Sequence, residues 1–111
     1  MRSLTPLLVL SLALILAQPF GASAEATGAA TADYQVAMGT MMTDMMVPYT
    51  GDADVDFVRG MIPHHQGAID MAKVVLEHGT DPEIRKLAEG VIAAQEAEIA
   101  FMTEWLAKRG Q

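Results

Sequence analysis

Two adjacent histidines flanked by methionines are the residues in this sequence whose types and spacing suggest chemistry. His64 and His65 lie in the segment MIPHHQGAIDM, which begins at Met61 and ends at Met71. Thioether sulfur selects Cu(I) and needs no deprotonation, and imidazole nitrogen also suits copper. Adjacent residues of a helix diverge by about 100°, so the two histidines are not expected to hold one ion symmetrically. Met61 with His65 forms one half-site. His64 with Met71 forms a neighbouring one.

A second group of methionines precedes this segment. Helical placement puts Tyr34 on one face with five methionines, namely Met38, Met41, Met42, Met45 and, at the edge, Met46. A methionine stripe is usually part of a core, because methionine fills irregular gaps. Leucine, however, packs with better-defined rotamers, and no leucine or isoleucine shares this face. The stripe therefore favours a role for sulfur, and its methionines are predicted to be further Cu(I) ligands.

Three residues near the histidines weaken a helix. Gly60 and Gly67 each cost about 1 kcal/mol relative to alanine, and Pro63 removes a backbone hydrogen bond. One interpretation is that a metal site has been favoured over local stability. The alternative is that Pro63 begins a new helix and that one of the glycines permits close packing.

Gln95 and Glu98 interrupt an apolar helical stripe near the C-terminus. The other members of the stripe are Ile84, Leu87, Ala88, Val91, Met102, Trp105 and Leu106. A buried carboxylate is costly unless it is paired. Glu98 and Gln95 are therefore predicted to support the metal ligands, with Glu98 holding the far nitrogen of a histidine or contacting the ion. A salt bridge from Glu98 to Arg59 or Arg85, or an exposed position at the end of the bundle, is the alternative.

Three predicted helices position these residues. The first runs roughly from Asp33 to Val47 and stops at Pro48. The second begins after an N-cap at Asp52 or Asp54 and ends near His78, with Gly79 as a left-handed cap. The third begins after an N-cap at Asp81 and ends near Arg109. His78 is interpreted as a cation that suits a helix C-terminus. A connection this short predicts an antiparallel αα-hairpin. The fold class is therefore all-α: a long hairpin with a shorter, methionine-rich N-terminal helix.

The N-terminus has the pattern of an export signal. Arg2 precedes an apolar run over residues 7–17, and Ala22, Ser23 and Ala24 fit a cleavage site. The run is shorter than the roughly 20 residues that a membrane span needs. We predict a signal peptide over 1–24, a disordered linker over 25–32 and a single helical metal-binding domain over 33–111. The mature protein is expected to be periplasmic or secreted, with no membrane anchor.

Composition excludes several classes of function. The net charge of −7 argues against nucleic acid as a partner. With no cysteine and no serine nucleophile elbow, the sequence predicts no catalysis. Stability is left to helix packing, a bound metal or oligomerisation.

Residues 52–71, DADVDFVRGMIPHHQGAIDM, and 81–110, DPEIRKLAEGVIAAQEAEIAFMTEWLAKRG, resemble the domain-of-unknown-function family numbered 305. Its members include exported copper-binding proteins of the CopM type. The resemblance implies a ferritin-like helical bundle, with Met61, His64, His65 and Met71 as copper ligands and more supplied by the methionine-rich helix. That helix often carries a histidine beside methionine in the family, where this chain has Met-Met-Thr at 41–43. Fewer imidazoles predict a preference for Cu(I).

The expected function is therefore Cu(I) binding for buffering, resistance or transfer to another copper-handling protein. A homodimer is also expected, because three helices of this size leave an apolar edge. Two alternatives stay open. One is a non-metal helical interaction module with a methionine-rich partner surface. The other is a histidine-based Zn(II) site.

Overall fold

Helices account for most of the chain that the structure covers. A computed structural model describes the backbone of residues 24–111 and the side chains of residues 28–111. It contains three helices, α1 (Ala24–Asp44), α2 (Ala53–His78) and α3 (Pro82–Ala107), and no strand within residues 24–111. The predicted all-α class is therefore confirmed. The predicted signal peptide, residues 1–24, lies outside the described residues except for Ala24.

Aspartate caps set the first residues of α2 and α3, as the sequence predicts. The Asp52 carboxylate accepts hydrogen bonds from the backbone N–H groups of Asp54 and Val55, at 3.0 and 3.1 Å. Asp81 accepts the equivalent bonds at the start of α3, at 2.9 and 3.1 Å. These contacts satisfy N–H groups that have no partner inside a helix.

The connection between α2 and α3 holds them as the predicted antiparallel hairpin. It spans only residues 79–81, and Arg85 closes it by donating to the carbonyl oxygens of Leu76 (2.7 Å) and Gly79 (3.0 Å). Gly79 has φ −80° and ψ 151°, so it is extended and not the predicted left-handed cap. Glycine fits there because a Cβ atom would lie 2.5 Å from the carbonyl oxygen of Val75.

α1 begins earlier than the sequence predicts. Its first residue is Ala24, not Asp33, so residues 25–32 are helical instead of forming a disordered linker. This segment is rich in alanine, which has the highest helix propensity of any residue. Its small and polar character suggested disorder, but the alanine content favours extension of the helix.

α1 also ends earlier than predicted, at Asp44, and a loop leads to α2. Met45 and Met46 therefore follow the helix. Asp56 of α2 fastens the loop by accepting hydrogen bonds from the Thr50 backbone N–H (2.7 Å) and hydroxyl (2.8 Å) and from the Gly51 N–H (3.0 Å). These bonds, the Thr50 backbone N–H first among them, hold the pKa of Asp56 below its ordinary value of 3.8.

α2 is the central helix of the domain. Both α1 and α3 pack along it, while α1 and α3 do not pack on each other. The buried side of α2 that faces α3 includes His65 and Ala72, and Gly67 and Val74 are buried against α1. Because α2 packs between two neighbours, it buries two faces and not one.

Candidate metal site

His65 is the buried member of the histidine pair. Its side chain is only 10% exposed, and its Nε2 atom contacts the Oε2 atom of Glu98 across the α2–α3 interface. Helical geometry places His65 on the α3 side because it lies two turns before Ala72, which is buried there. The contact agrees with the interpretation that Glu98 holds the far nitrogen of a histidine.

The second ring nitrogen of His65, Nδ1, differs from the first. Nδ1 is buried and makes no hydrogen bond within the described residues. When Nε2–H donates a hydrogen bond to the Glu98 carboxylate, the neutral imidazole carries a lone pair on Nδ1. Buried polar atoms are almost always paired, so this nitrogen is the exceptional atom of the interface. A lone pair opposite a carboxylate-bound N–H is the arrangement that metal-ligating histidines use.

Glu98 makes this contact from a position near the surface. Its side chain is 62% exposed, so the contact does not require a buried charge. Among the described ion pairs Glu98 contacts His65, whereas Arg85, one of its predicted alternative partners, donates to backbone carbonyls in the hairpin turn. Gln95 lies three residues earlier and is half-buried. Among the described hydrogen bonds, His65 pairs with Glu98 and not with Gln95.

His64 points elsewhere. It is exposed, and its ring centroid lies 6.1 Å from that of His65, with the two ring planes at 61°. Met71 is on the same face two turns later and is 40% exposed. Met61 is half-buried one turn before His65. The structure thus keeps the two predicted pairs on separate faces of α2.

α2 continues through Pro63 without a break, so the alternative in which this proline begins a new helix is wrong. The two glycines differ. At Gly60 a Cβ atom would meet nothing within 4 Å, whereas at Gly67 it would lie 2.6 Å from Cγ of Met41. Gly67 therefore permits the close approach of α1 to α2, and Gly60 does not have that role.

The contact between Met41 and Gly67 shows which part of α1 lies beside the histidines of α2. Asp33 contacts His78 and Met41 contacts Gly67, so α1 and α2 run antiparallel. The chain after Met41 therefore continues towards the level of His64. Met41 is half-buried, whereas the other four methionines of the predicted set are exposed, from 39% for Met45 to 83% for Met46. The exposed members are Met38, Met42, Met45 and Met46. Of these five methionines, Met41 is the one that is partly buried between helices.

An open apolar groove runs along α2 between Tyr34 of α1 and the first half of α3. α2 forms its floor, Tyr34 of α1 forms one wall, and α3 forms the other. The residues from α2 and α3 are Ala68, Met71, Ala72, Val75, Ile84, Leu87, Ala88 and Val91. Met71, one of the predicted ligands, is therefore part of this groove.

Sequence reasoning missed a second cluster of metal-ligating side chains. Asp33, Glu77 and His78 place one ligand atom each within 4.8 Å of one another. His78 was interpreted as a response to the helix dipole alone. The adjacent Glu77 and His78 were the one available signal, and only the packing of α1 on α2 brings Asp33 to them.

Family comparison agrees with the sequence resemblance. The family model described as "Domain of unknown function (DUF305)" matches residues 15–106, which is most of the chain. The chain belongs to the DUF305 family. The match includes all of α2 and nearly all of α3, so the His65–Glu98 contact lies within the family domain.

One viral relative is similar over part of the chain. An uncharacterized protein of Acanthamoeba polyphaga mimivirus is 41% identical over 56 residues, which are 50% of this chain and 37% of the relative. The chain therefore matches only about a third of that protein's length.

None of the three described helices has an apolar stretch long enough to cross a membrane.

Proposed function

We propose that this DUF305 protein is an exported copper-binding protein that holds Cu(I) with methionine sulfur and imidazole nitrogen. The observation that carries the proposal is the unpartnered Nδ1 atom of His65. Its other ring nitrogen contacts Glu98, which fixes the ring orientation. A bound cation would satisfy this nitrogen, which is buried and has no hydrogen-bond partner among the side chains of residues 28–111.

The neighbouring sulfur atoms favour Cu(I) as the ion. Met61 is one turn from His65, and Met71 is two turns from His64. Met41 brings the methionine-bearing end of α1 towards the same part of α2. Zn(II) and Cu(II) gain less from thioether ligands than Cu(I) does. A half-site that combines one imidazole with a thioether therefore matches Cu(I) best.

The exposure of the ligands suggests exchange of the ion. His64, Met71 and the methionines at 38, 42, 45 and 46 are all exposed, so a partner protein could reach them without unfolding the domain. We propose buffering or transfer of copper in the periplasm or outside the cell. No catalytic step is part of this proposal.

A Cu(I) competition titration against a chromophoric chelator tests the proposal. We expect the purified protein to bind Cu(I), and His65→Ala to weaken binding by about tenfold or more because it removes a ligand. Glu98→Gln should weaken binding by about 10- to 100-fold, as supporting residues of metal sites typically do. Glu96→Gln removes the same charge from an exposed position of α3 and is the matched control.

Each result bears on a different part of the proposal. Equal Cu(I) affinity in the wild type and in the His64→Ala/His65→Ala double variant would refute the histidine site. Thioethers stay competent at low pH, whereas imidazole must be neutral to bind. Affinity should therefore fall only partly between about pH 7 and pH 5.

A non-metal interaction module is the second candidate, and the groove favours it. Ile84 and Leu87 are 47% and 62% exposed on one wall, with Met71 on the floor. An amphipathic partner helix could cover such a surface. This candidate predicts that a partner remains bound to the His64→Ala/His65→Ala variant in the presence of a Cu(I) chelator.

A further inference from the structure

Three metal-ligating side chains meet at the end of α2 that is remote from His65. Asp33 comes from α1, while Glu77 and His78 are the last two residues of α2. Nε2 of His78 lies 2.7 Å from Oδ2 of Asp33, and one ligand atom from each of the three residues lies within 4.8 Å of the others. His78 is thirteen residues beyond His65, which corresponds to roughly 20 Å along a helix. The cluster is therefore separate from the proposed Cu(I) site.

The hydrogen bond between His78 and Asp33 also joins two helices. Within the described residues, His78 and Asp33 form the side-chain hydrogen bond that links α1 to α2. His78 is partly covered, with 26% of its side chain exposed, and Asp33 is 48% exposed. The three side chains therefore come together only when α1 packs on α2.

The charge at this point favours a cation. Two carboxylates lie beside the C-terminal end of α2, where the helix dipole is also negative. A protonated His78 offsets one negative charge at most. Lys73 is one turn before Glu77 and lies near Asp33 in a neighbouring depression, but the described ion pairs do not join it to either carboxylate. A dication would neutralise both carboxylates at once.

The ligand types identify the class of ion. One imidazole nitrogen and two carboxylate oxygens suit borderline divalent cations such as Zn²⁺, which binds these atoms at about 2.0–2.2 Å. The ligands of one such ion lie on the order of 3.5 Å apart. The 2.7 Å hydrogen bond between His78 and Asp33 would therefore open by less than about 1 Å on metal binding, and the third ligand atom already lies within 4.8 Å. No sulfur is present, and a soft ion such as Cu(I) is disfavoured.

We propose that Asp33, Glu77 and His78 form a second metal site, which takes a divalent cation of the zinc class and clamps α1 onto α2. Three protein ligands leave at least one coordination position to water. The clamp fixes the half of α1 that precedes the methionines, while Met41 and Gly67 hold the other half.

A Zn²⁺ titration of the purified protein against a chromophoric zinc chelator tests the proposal. We expect one Zn²⁺ ion to bind, and Asp33→Asn and Glu77→Gln each to weaken binding about tenfold or more. These nearly isosteric variants keep hydrogen-bonding capacity, and circular dichroism checks that each remains helical. Glu96→Gln is the matched control for loss of one negative charge, and it should bind Zn²⁺ like the wild type.

Two further measurements separate this site from the copper site. The His64→Ala/His65→Ala variant should retain Zn²⁺ affinity, and Zn²⁺ should shift the ¹⁵N resonances of the His78 imidazole. Wild-type Zn²⁺ affinity in Asp33→Asn and Glu77→Gln would overturn the proposal. Loss of Zn²⁺ binding in the His64→Ala/His65→Ala variant would also overturn it. Failure of Cu(I) binding would leave it intact, because the two ligand sets share no residue.

Discussion

Replacement of Gly67 by alanine tests whether α1 packs on α2 as described. An alanine Cβ atom at this position would lie 2.6 Å from Cγ and 2.9 Å from Cβ of Met41. The far end of the methionine side chain can rotate away, but its Cβ atom is fixed to the backbone. Gly67→Ala therefore forces α1 to shift relative to α2.

The magnitude follows from two opposing terms. Overpacking of a close contact costs about 1 to 3 kcal/mol, and alanine in place of glycine stabilises a helix by about 1 kcal/mol. The free energy of unfolding of Gly67→Ala should therefore fall by about 0 to 2 kcal/mol. At Gly60, where a Cβ atom would meet nothing within 4 Å, only the second term applies. Gly60→Ala should raise the free energy of unfolding by up to about 1 kcal/mol.

Urea unfolding followed by far-UV circular dichroism measures both variants. The two free energies of unfolding should differ by about 1 to 3 kcal/mol, in favour of Gly60→Ala. In a Met41→Gly background the Cβ atom that obstructs residue 67 is absent, and Gly67→Ala should then stabilise the protein much as Gly60→Ala does. Equal stabilisation by Gly60→Ala and Gly67→Ala in the presence of Met41 would refute this packing of α1 on α2.

Three further predictions concern the backbone around the metal site. Pro63→Ala should raise the free energy of unfolding by roughly 3 kcal/mol, because proline lies inside α2; an unchanged urea midpoint would argue against a continuous helix. Asp52→Ala should lower it by about 1 kcal/mol by removing the N-cap of α2, whereas Asp52→Asn, which can still accept a hydrogen bond, should lower it less. Asp56 has a lowered pKa in the folded state, so its contribution to stability is present above its ordinary value of 3.8 and is lost as pH falls through the folded value. Asp56→Asn should therefore reduce the acid dependence of unfolding, and an identical pH profile for wild type and variant would contradict this role of Asp56 in the loop.

The His65–Glu98 contact shows how a polar position on an apolar stripe can be informative. Glu98 interrupts the apolar stripe of α3, and this pattern predicts a partner for its carboxylate, although at 62% exposure the side chain does not need one for burial. The partner proved to be His65, a member of the histidine pair that the sequence singled out. The contact supports the proposed site because it orients one ring nitrogen and leaves the other free.

Local sequence determined the helices and most of their ends. Asp52 and Asp81 are predictable N-caps because a carboxylate three residues before free N–H groups can reach them, and both make these bonds. A connection as short as residues 79–81 forces the hairpin. The start of α1 was not predictable from the pattern of apolar and polar side chains. Alanine favours a helix through its backbone propensity, which does not require an apolar face.

Tertiary structure alone decided how the helices are arranged around α2. Helical periodicity gives the angle between residues, but it does not say how many neighbours a helix will have. The sequence therefore suggested the pairs Met61–His65 and His64–Met71. It could not show that His65 is buried against α3 while His64 is exposed. It also could not place Asp33 beside His78, since 45 residues separate them and only the register of α1 on α2 brings them together.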